Sequence, residues 1–200
     1  MELQMDKGER FFLGLSVSFI ALLIVSNVIA GKIVLIGGLT VPAAVICYAL
    51  TFLISDTLVE VWGKKRTRYV IKLGFYASIL AALFIRLAIY MPGAPFWADQ
   101  SEFELILGTN ARIVVASMAA YLVSQLHDVW AFHFWKEKTK GKHLWIRNNL
   151  STGVSQLIDT IIFITIAFYG AGTPLISLIL GQYVIKLVIA ICDTPFVYLF

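Results

Sequence analysis

The 200 residues are 60% hydrophobic and only 14% charged, with a mean hydropathy of +0.85. Such a composition excludes an ordinary soluble domain, because one core of this size cannot bury so much apolar surface. The formal charge of +4 does not read as a nucleic-acid footprint, since the basic residues collect at the ends of apolar runs, as they do in cytoplasmic loops of membrane proteins.

A bilayer crossing takes roughly 20 mostly apolar residues, and six segments meet that length: 11–30, 42–62, 69–90, 111–135, 151–170 and 174–200. The first has no Ala-x-Ala cleavage site behind it, so it is expected to stay as a span rather than leave as a signal peptide. Pro42 and Pro174 suit the first turns of helices 2 and 6, where a missing N–H costs nothing. Gly63 and Gly170 are natural stops for helices 2 and 5. The outer 3–4 connection, "MPGAPFWADQSEFELILGTN" at 91–110, holds Asp99 with Glu102 three residues on, the spacing of a capping box that opens a short interfacial helix. No strand alternation or linker interrupts the pattern. The expectation is an all-α, polytopic membrane protein with six transmembrane helices forming one domain over residues 1–200.

Charge orients these spans. Lys7, Arg10, Lys64, Lys65, Arg66, Arg68, Lys136, Lys138, Lys140, Lys142 and Arg147 fall on one side, and only Lys32 and Arg112 on the other. Both termini are therefore expected in the cytoplasm, with the protein in the cell inner membrane. Cys47 and Cys192 lie inside apolar runs and suggest no disulfide.

Against this apolar background the polar residues at membrane depth stand out. They include Asp56 and Glu60 on helix 2, Arg86 on helix 3, Gln125, His127 and Asp128 on helix 4, Gln156 and Asp159 on helix 5, and Gln182, Lys186 and Asp193 on helix 6. Each Asp or Lys near a helix centre costs roughly 2.5–3.5 kcal/mol to insert. Together they must face the bundle interior or water. Spacing agrees: Gln125 with Asp128, and Gln156 with Asp159, are three apart and share a helix face, while Asp56 and Glu60 are four apart. Gln182, Lys186 and Asp193 make one stripe. Helix 1 adds Ser26 and Asn27. One ion pair fixing the helices explains one acid; the surplus of carboxylates points to a hydrated or ligand-filled cavity. His127 reads as a packed histidine, and Arg86, near Tyr90, as a snorkelling one.

Enzymatic motifs do not stand in the chain. It carries no Gly-x-Ser-x-Gly, Gly-x-Gly-Asp, HExxH, Cys-x-x-Cys or P-loop sequence, so neither an enzyme, a metal site nor a resident cofactor is expected.

The segments "SNVIAGK" (26–32), "SDTLVEVWGKKRTR" (55–68), "ARIVVASMAAYLVSQLHDV" (111–129), "STGVSQLIDTIIFITIAF" (151–168) and "GQYVIKL" (181–187) resemble the queuosine precursor transporter family, also called vitamin uptake transporters. The resemblance spans nearly the whole chain. It implies a six-helix inner-membrane importer of 7-cyano-7-deazaguanine or its aminomethyl relative. It also implies that Asn27, Asp56, Arg112, Gln125, Asp128, Asp159 and Lys186 are the motif polar residues. His127 stands where the family pattern has an aliphatic residue, and the chain lacks a basic carboxyl-terminal tail.

The chemistry suits such a solute. A guanine-like base offers N1–H and an exocyclic amine side by side, which one carboxylate accepts as a charge-assisted pair. Amides serve the remaining donors and acceptors, and Tyr121, Trp130 or Tyr183 could stack on the ring. Asn27, Asp56, Gln125, Asp128, Gln156, Asp159 and Lys186 are the candidate substrate-binding residues. The expected partners are the small deazapurine and the lipid bilayer, with a homo-oligomer open and nucleic acid excluded. The alternative is a substrate-binding subunit of an energy-coupling-factor-type importer that needs separate ATPase proteins. Such subunits often carry an Ala-x-x-x-Ala contact on helix 1, a spacing that Ala21 and Ala30 do not have.

Overall fold

The computed structural model describes the backbone of residues 6–138 and 144–197. Side chains are described over the same stretches apart from 49, 128–129, 132–133, 135–138, 144–152 and 190–197. Helix α1 (Lys7–Ile29) is followed by two short strands, β1 (Ile33–Ile36) and β2 (Leu39–Pro42), and then by α2 (Val45–Tyr90), α3 (Gln100–Leu107), α4 (Asn110–Lys138), α5 (Leu144–Phe168) and α6 (Leu175–Val197). Among the described residues, three helical stretches are long and apolar enough to cross a membrane: Lys7–Ile29, Val45–Tyr90 and Gln100–His127. Gly153–Phe168 and Leu175–Ile189 are shorter apolar helices. The apolar side chains that cover the outside, such as Val17, Leu83, Leu126 and Ile176, are well exposed in the isolated chain, as a lipid-facing surface is.

The hairpin is absent from the sequence expectation and corrects it. Gly37 and Gly38 both take positive φ, 57° and 82°, as a two-residue type I′ turn demands. Ile36 then pairs with Leu39, and Ile33 with Pro42. Pro42 closes a strand instead of opening a helix, and α2 starts three residues later. Pro174 likewise sits just before α6, where its carbonyl accepts from Leu178 N–H at 3.1 Å. The hairpin is not a solvent flap: Val41 is fully buried. Its carbonyl at Thr40 lies against Gly181 of α6, where an added Cβ would collide with backbone.

Gly63 was expected to end a helix, and it does so by conformation. Gly63 has φ 81° and ψ 160°, a region essentially reserved for glycine, so α2 is two helical segments joined at a kink. Contacts with α1 show what the break does. Phe12 meets Trp62, and Ser26 meets the Tyr48 hydroxyl, so the first half of α2 runs antiparallel to α1. Phe12 also lies under Arg66, Phe19 packs on Gly74 and Asn27 bonds Ser78, so the second half runs parallel to it. The chain reverses at Gly63. An apolar cluster around Phe19, Leu23, Leu58 and Val70 holds the three segments together.

Helix α3 forms where the sequence placed a short helix, with Asp99 at its N-cap. The capping box does not form: Asp99 makes no side-chain cap bond, and Glu102 accepts from Ser101 Oγ at 2.8 Å. A second apolar cluster joins the ends of α1, α2, α4, α5 and α6 nearest the hairpin, with Ile113, Ala116, Ile164 and Leu178 almost wholly buried. Here Arg112 of α4 reaches the end of α5, donating from Nε to the Ile166 carbonyl at 2.5 Å and from Nη2 to the Tyr169 carbonyl at 2.6 Å. These carbonyls have no partner within their own helix, and a cation there also suits the helix dipole.

Candidate functional site

A cavity of about 520 Å³ lies among α1, both halves of α2, α4, α5 and α6, within the range of small-molecule sites. Its first wall is α2, whose register brings Tyr48, Thr51, Phe52, Ser55 and Asp56 to one side before Gly63 turns the chain. Lys64, Thr67 and Arg68 then line the opposite edge. Helix α4 adds Ser117, Tyr121, Ser124 and Gln125, at the helical spacing expected of one face. Helix α5 adds Ser155, Gln156, Asp159 and Phe163, and α6 adds Gln182 and Lys186.

Exposure gives the cavity a direction. Asp56, Lys64, Arg68 and Gln125 are exposed, whereas Thr51, Phe163, Gln182 and Lys186 are buried. The mouth therefore lies at the Gly63 turn, among the basic residues, and the apolar cluster with the hairpin closes the other end.

At mid-depth Lys186 Nζ donates to Asp159 Oδ2 at 2.5 Å. The lysine side chain is 3% exposed and the aspartate 22%. In a low-dielectric wall each charge makes the other tolerable. Tyr48 bridges three helices beyond this pair: its hydroxyl is 3.3 Å from Ser117 Oγ, and its ring stands edge-on to Phe163 at 6.4 Å. Neither Gln156 nor Gln182 makes a side-chain hydrogen bond with another described residue, and the amide oxygens of both are buried without a partner.

Five of the seven sequence candidates line this cavity: Asp56, Gln125, Gln156, Asp159 and Lys186. Asn27 does not. It is 3% exposed, donates to Ser78 Oγ at 3.2 Å, and its carbonyl accepts from Asn110 Nδ2 at 3.1 Å; it braces α1 against α2 and α4. Asp128 is on α4, but its side chain lies outside the described residues, as does that of Asp193 on α6. Glu60 and Arg86 are exposed and off the cavity. His127 is packed, with Nδ1 3.0 Å from Ser155 Oγ and its ring beside Trp130.

Of the proposed stacking rings, Tyr121 lines the wall. Trp130 is 62% exposed, and Tyr183 donates to the Gly153 carbonyl at 3.3 Å. Sequence reasoning missed Tyr48 and Phe163, which read as ordinary apolar-run residues. Only the three-residue step from Tyr48 to Thr51, toward Ser55, hinted at a polar face there.

A family model described as "Putative vitamin uptake transporter" matches residues 42–200. The chain is 28% identical over 176 residues to the "Probable queuosine precursor transporter" of Bacillus subtilis (strain 168), covering 86% of this chain and 77% of that protein. It is 26% identical over 130 residues to the protein of the same name in Haemophilus influenzae, covering 65% of this chain and 53% of the relative. To the "Queuosine precursor transporter" of Escherichia coli (strain K12) it is 27% identical over 122 residues, 61% of this chain and 52% of the relative. The matched region thus spans about half the length of the last two. No solved structure matches.

Proposed function

This chain belongs to the vitamin uptake transporter family, and from that premise we propose that it imports a queuosine precursor, 7-cyano-7-deazaguanine or its aminomethyl relative, into the cytoplasm. It is a multi-pass membrane transporter and not an enzyme. In the proposed arrangement the chain crosses the inner membrane six times as one domain. Gly63 makes the inner turn between the second and third crossings, and both termini are cytoplasmic. The basic cavity mouth at Lys64 and Arg68 then faces the cytoplasm, and the closed end carrying the hairpin faces outward.

The single observation that carries this reading is the buried Lys186–Asp159 pair set in a cavity whose neighbouring amides are unengaged. A pair used only to brace helices has no need of a cavity beside it. A flat polar solute does need replacements for water. Asp159, with Asp128 from the next helix, supplies carboxylate acceptors for ring donors. Asp56, Gln125 and Gln156 supply further polar contacts toward the mouth. Tyr121 and Phe163 offer ring faces on which a base can stack, worth about 1–3 kcal/mol per base.

Expression of this chain alone in cells unable to make the precursor tests the reading. Restored uptake without any ATPase partner is the expected result. Uptake that strictly requires separate ATPase proteins would replace it with the energy-coupling-factor alternative, and no uptake under either condition would remove the substrate assignment.

A further inference from the structure

Position along the cavity axis separates the two free amides. Gln156 precedes Asp159 by three residues on α5, so at 1.5 Å per residue it lies about 4.5 Å from the ion pair, toward the mouth. Gln182 precedes Lys186 by four residues on α6, which runs the opposite way, and lies about 6 Å from the pair toward the closed end. Gln182 is therefore among the deepest polar side chains of the wall, at the level of Tyr48 and Phe163. It is 3% exposed, lines the cavity, and has no described hydrogen-bond partner at either end of its amide.

Burial of an unpaired amide oxygen is costly. The turn that carries it is also tightly built. Gly181, the preceding residue, admits the Thr40 carbonyl so closely that no side chain fits, and Lys186 on the next turn is held by Asp159. Gln182 is thus fixed at both flanks while its own functional group is idle. One oxygen of Asp159 is already committed to Lys186, which leaves it a single oxygen for the exocyclic amine of a guanine-like base, so the neighbouring N1–H and carbonyl need a second group.

We propose that Gln182 is a specificity-determining residue of this cavity, taking the adjacent N–H and C=O of a neutral planar heterocycle in a two-point hydrogen bond. A primary amide complements that lactam edge whichever way it is turned, in the way Asn and Gln pair with a base edge that offers one donor and one acceptor. The inference rests on the transport reading above but assigns a residue and a ligand edge which that reading leaves open.

The test uses the purified full chain, two probes and two variants. The probes are 7-cyano-7-deazaguanine and its analogue without the 6-oxo group, which has lost both the carbonyl and the neighbouring N–H. Wild type should prefer the parent by about ten- to a hundredfold, the range expected for one unsatisfied buried group. Gln182→Met keeps the volume but has no polar amide, and should bind both probes within about threefold of each other. Gln182→Leu likewise leaves no polar group to pair with the ligand edge, so it too should lose the preference. Thermal stability of each variant is measured alongside. A structural role would lower stability and leave the preference intact, and a preserved preference in either folded variant overturns the proposal. Wild type that binds both probes equally overturns it as well, while wild type that binds neither removes the transport reading itself.

Discussion

Lys186 and Asp159 form an unequal pair: their charged atoms are 2.5 Å apart, yet the lysine is sealed and the aspartate keeps a face toward the cavity. The two ends of the bond should therefore respond differently to mutation. Asp159→Leu strands a cation in the wall, a loss of roughly 3–5 kcal/mol. Lys186→Met strands an anion that water can still reach, and should cost less. Thermal denaturation in one detergent compares them, and an equal or reversed order would contradict the geometry.

The neutral replacement Asp159→Asn/Lys186→Gln removes both charges, keeping the shape at 159 and shortening the side chain at 186 by one atom. Folding should recover relative to either single charge deletion. Ligand affinity should still fall by about 1–3 kcal/mol, because an amide must present NH2 to a ligand donor that the carboxylate accepted. Asp128→Asn should weaken binding similarly if both acids line one cavity. Affinity equal to wild type in both proteins would leave the pair as a brace and nothing more.

Gly63→Ala isolates a backbone cost. Nothing lies within 4 Å of the Cβ it would add, so any loss comes from φ 81° and should be about 1–3 kcal/mol. Gly14→Ala is the matched control, since its Cβ also meets nothing but its backbone is helical, where alanine gains up to about 1 kcal/mol. Opposite signs in the two melting shifts are the expected result.

At Gly181 the obstacle is contact. An alanine Cβ there would overlap the Thr40 carbonyl, and a main-chain atom in a paired strand cannot swing aside as a long side chain can. Gly181→Ala should lower stability by about 1–3 kcal/mol and weaken ligand binding through its neighbour Gln182. Unchanged affinity at reduced stability would uncouple the hairpin from the cavity.

Orientation is tested by labelling. A cysteine replacing Phe96, which is 92% exposed, should react with an impermeant maleimide on intact cells. One replacing Lys65, beside the cavity mouth, should react only after permeabilisation. The reverse pattern would invert the direction of the cavity and of transport.

Helical periodicity and charge made much of this legible before any coordinates. The starts of α4 and α6 follow from apolar-run length and, for α6, Pro174, while the residues meeting at the cavity follow from three- and four-residue polar spacings on apolar helices. Three things did not follow. The 33–42 hairpin is wholly apolar but for its turn and Thr40, so its strands merge with the flanking spans, and only the Gly-Gly pair marks it. Asn27 shares a polar character with the cavity residues, and what separates them is its long-range bond to Ser78, which no local pattern encodes. Tyr48 and Phe163 matter through neighbours on other helices, Ser117 and each other, at sequence separations that periodicity does not see.

The two bonds from Arg112 to the carbonyls of Ile166 and Tyr169 have a kinetic consequence. They pin α5 to α4, so sliding α5 along its axis would forfeit two charge-assisted bonds at once. A motion that exposes the cavity to the other side along the seam between α5 and α6 then has to break bonds that cross it, Asp159–Lys186 and Tyr183–Gly153 among the described residues. Turnover along that seam would be set by how readily these contacts let go, so tightening them should slow the carrier without improving its grip on the solute.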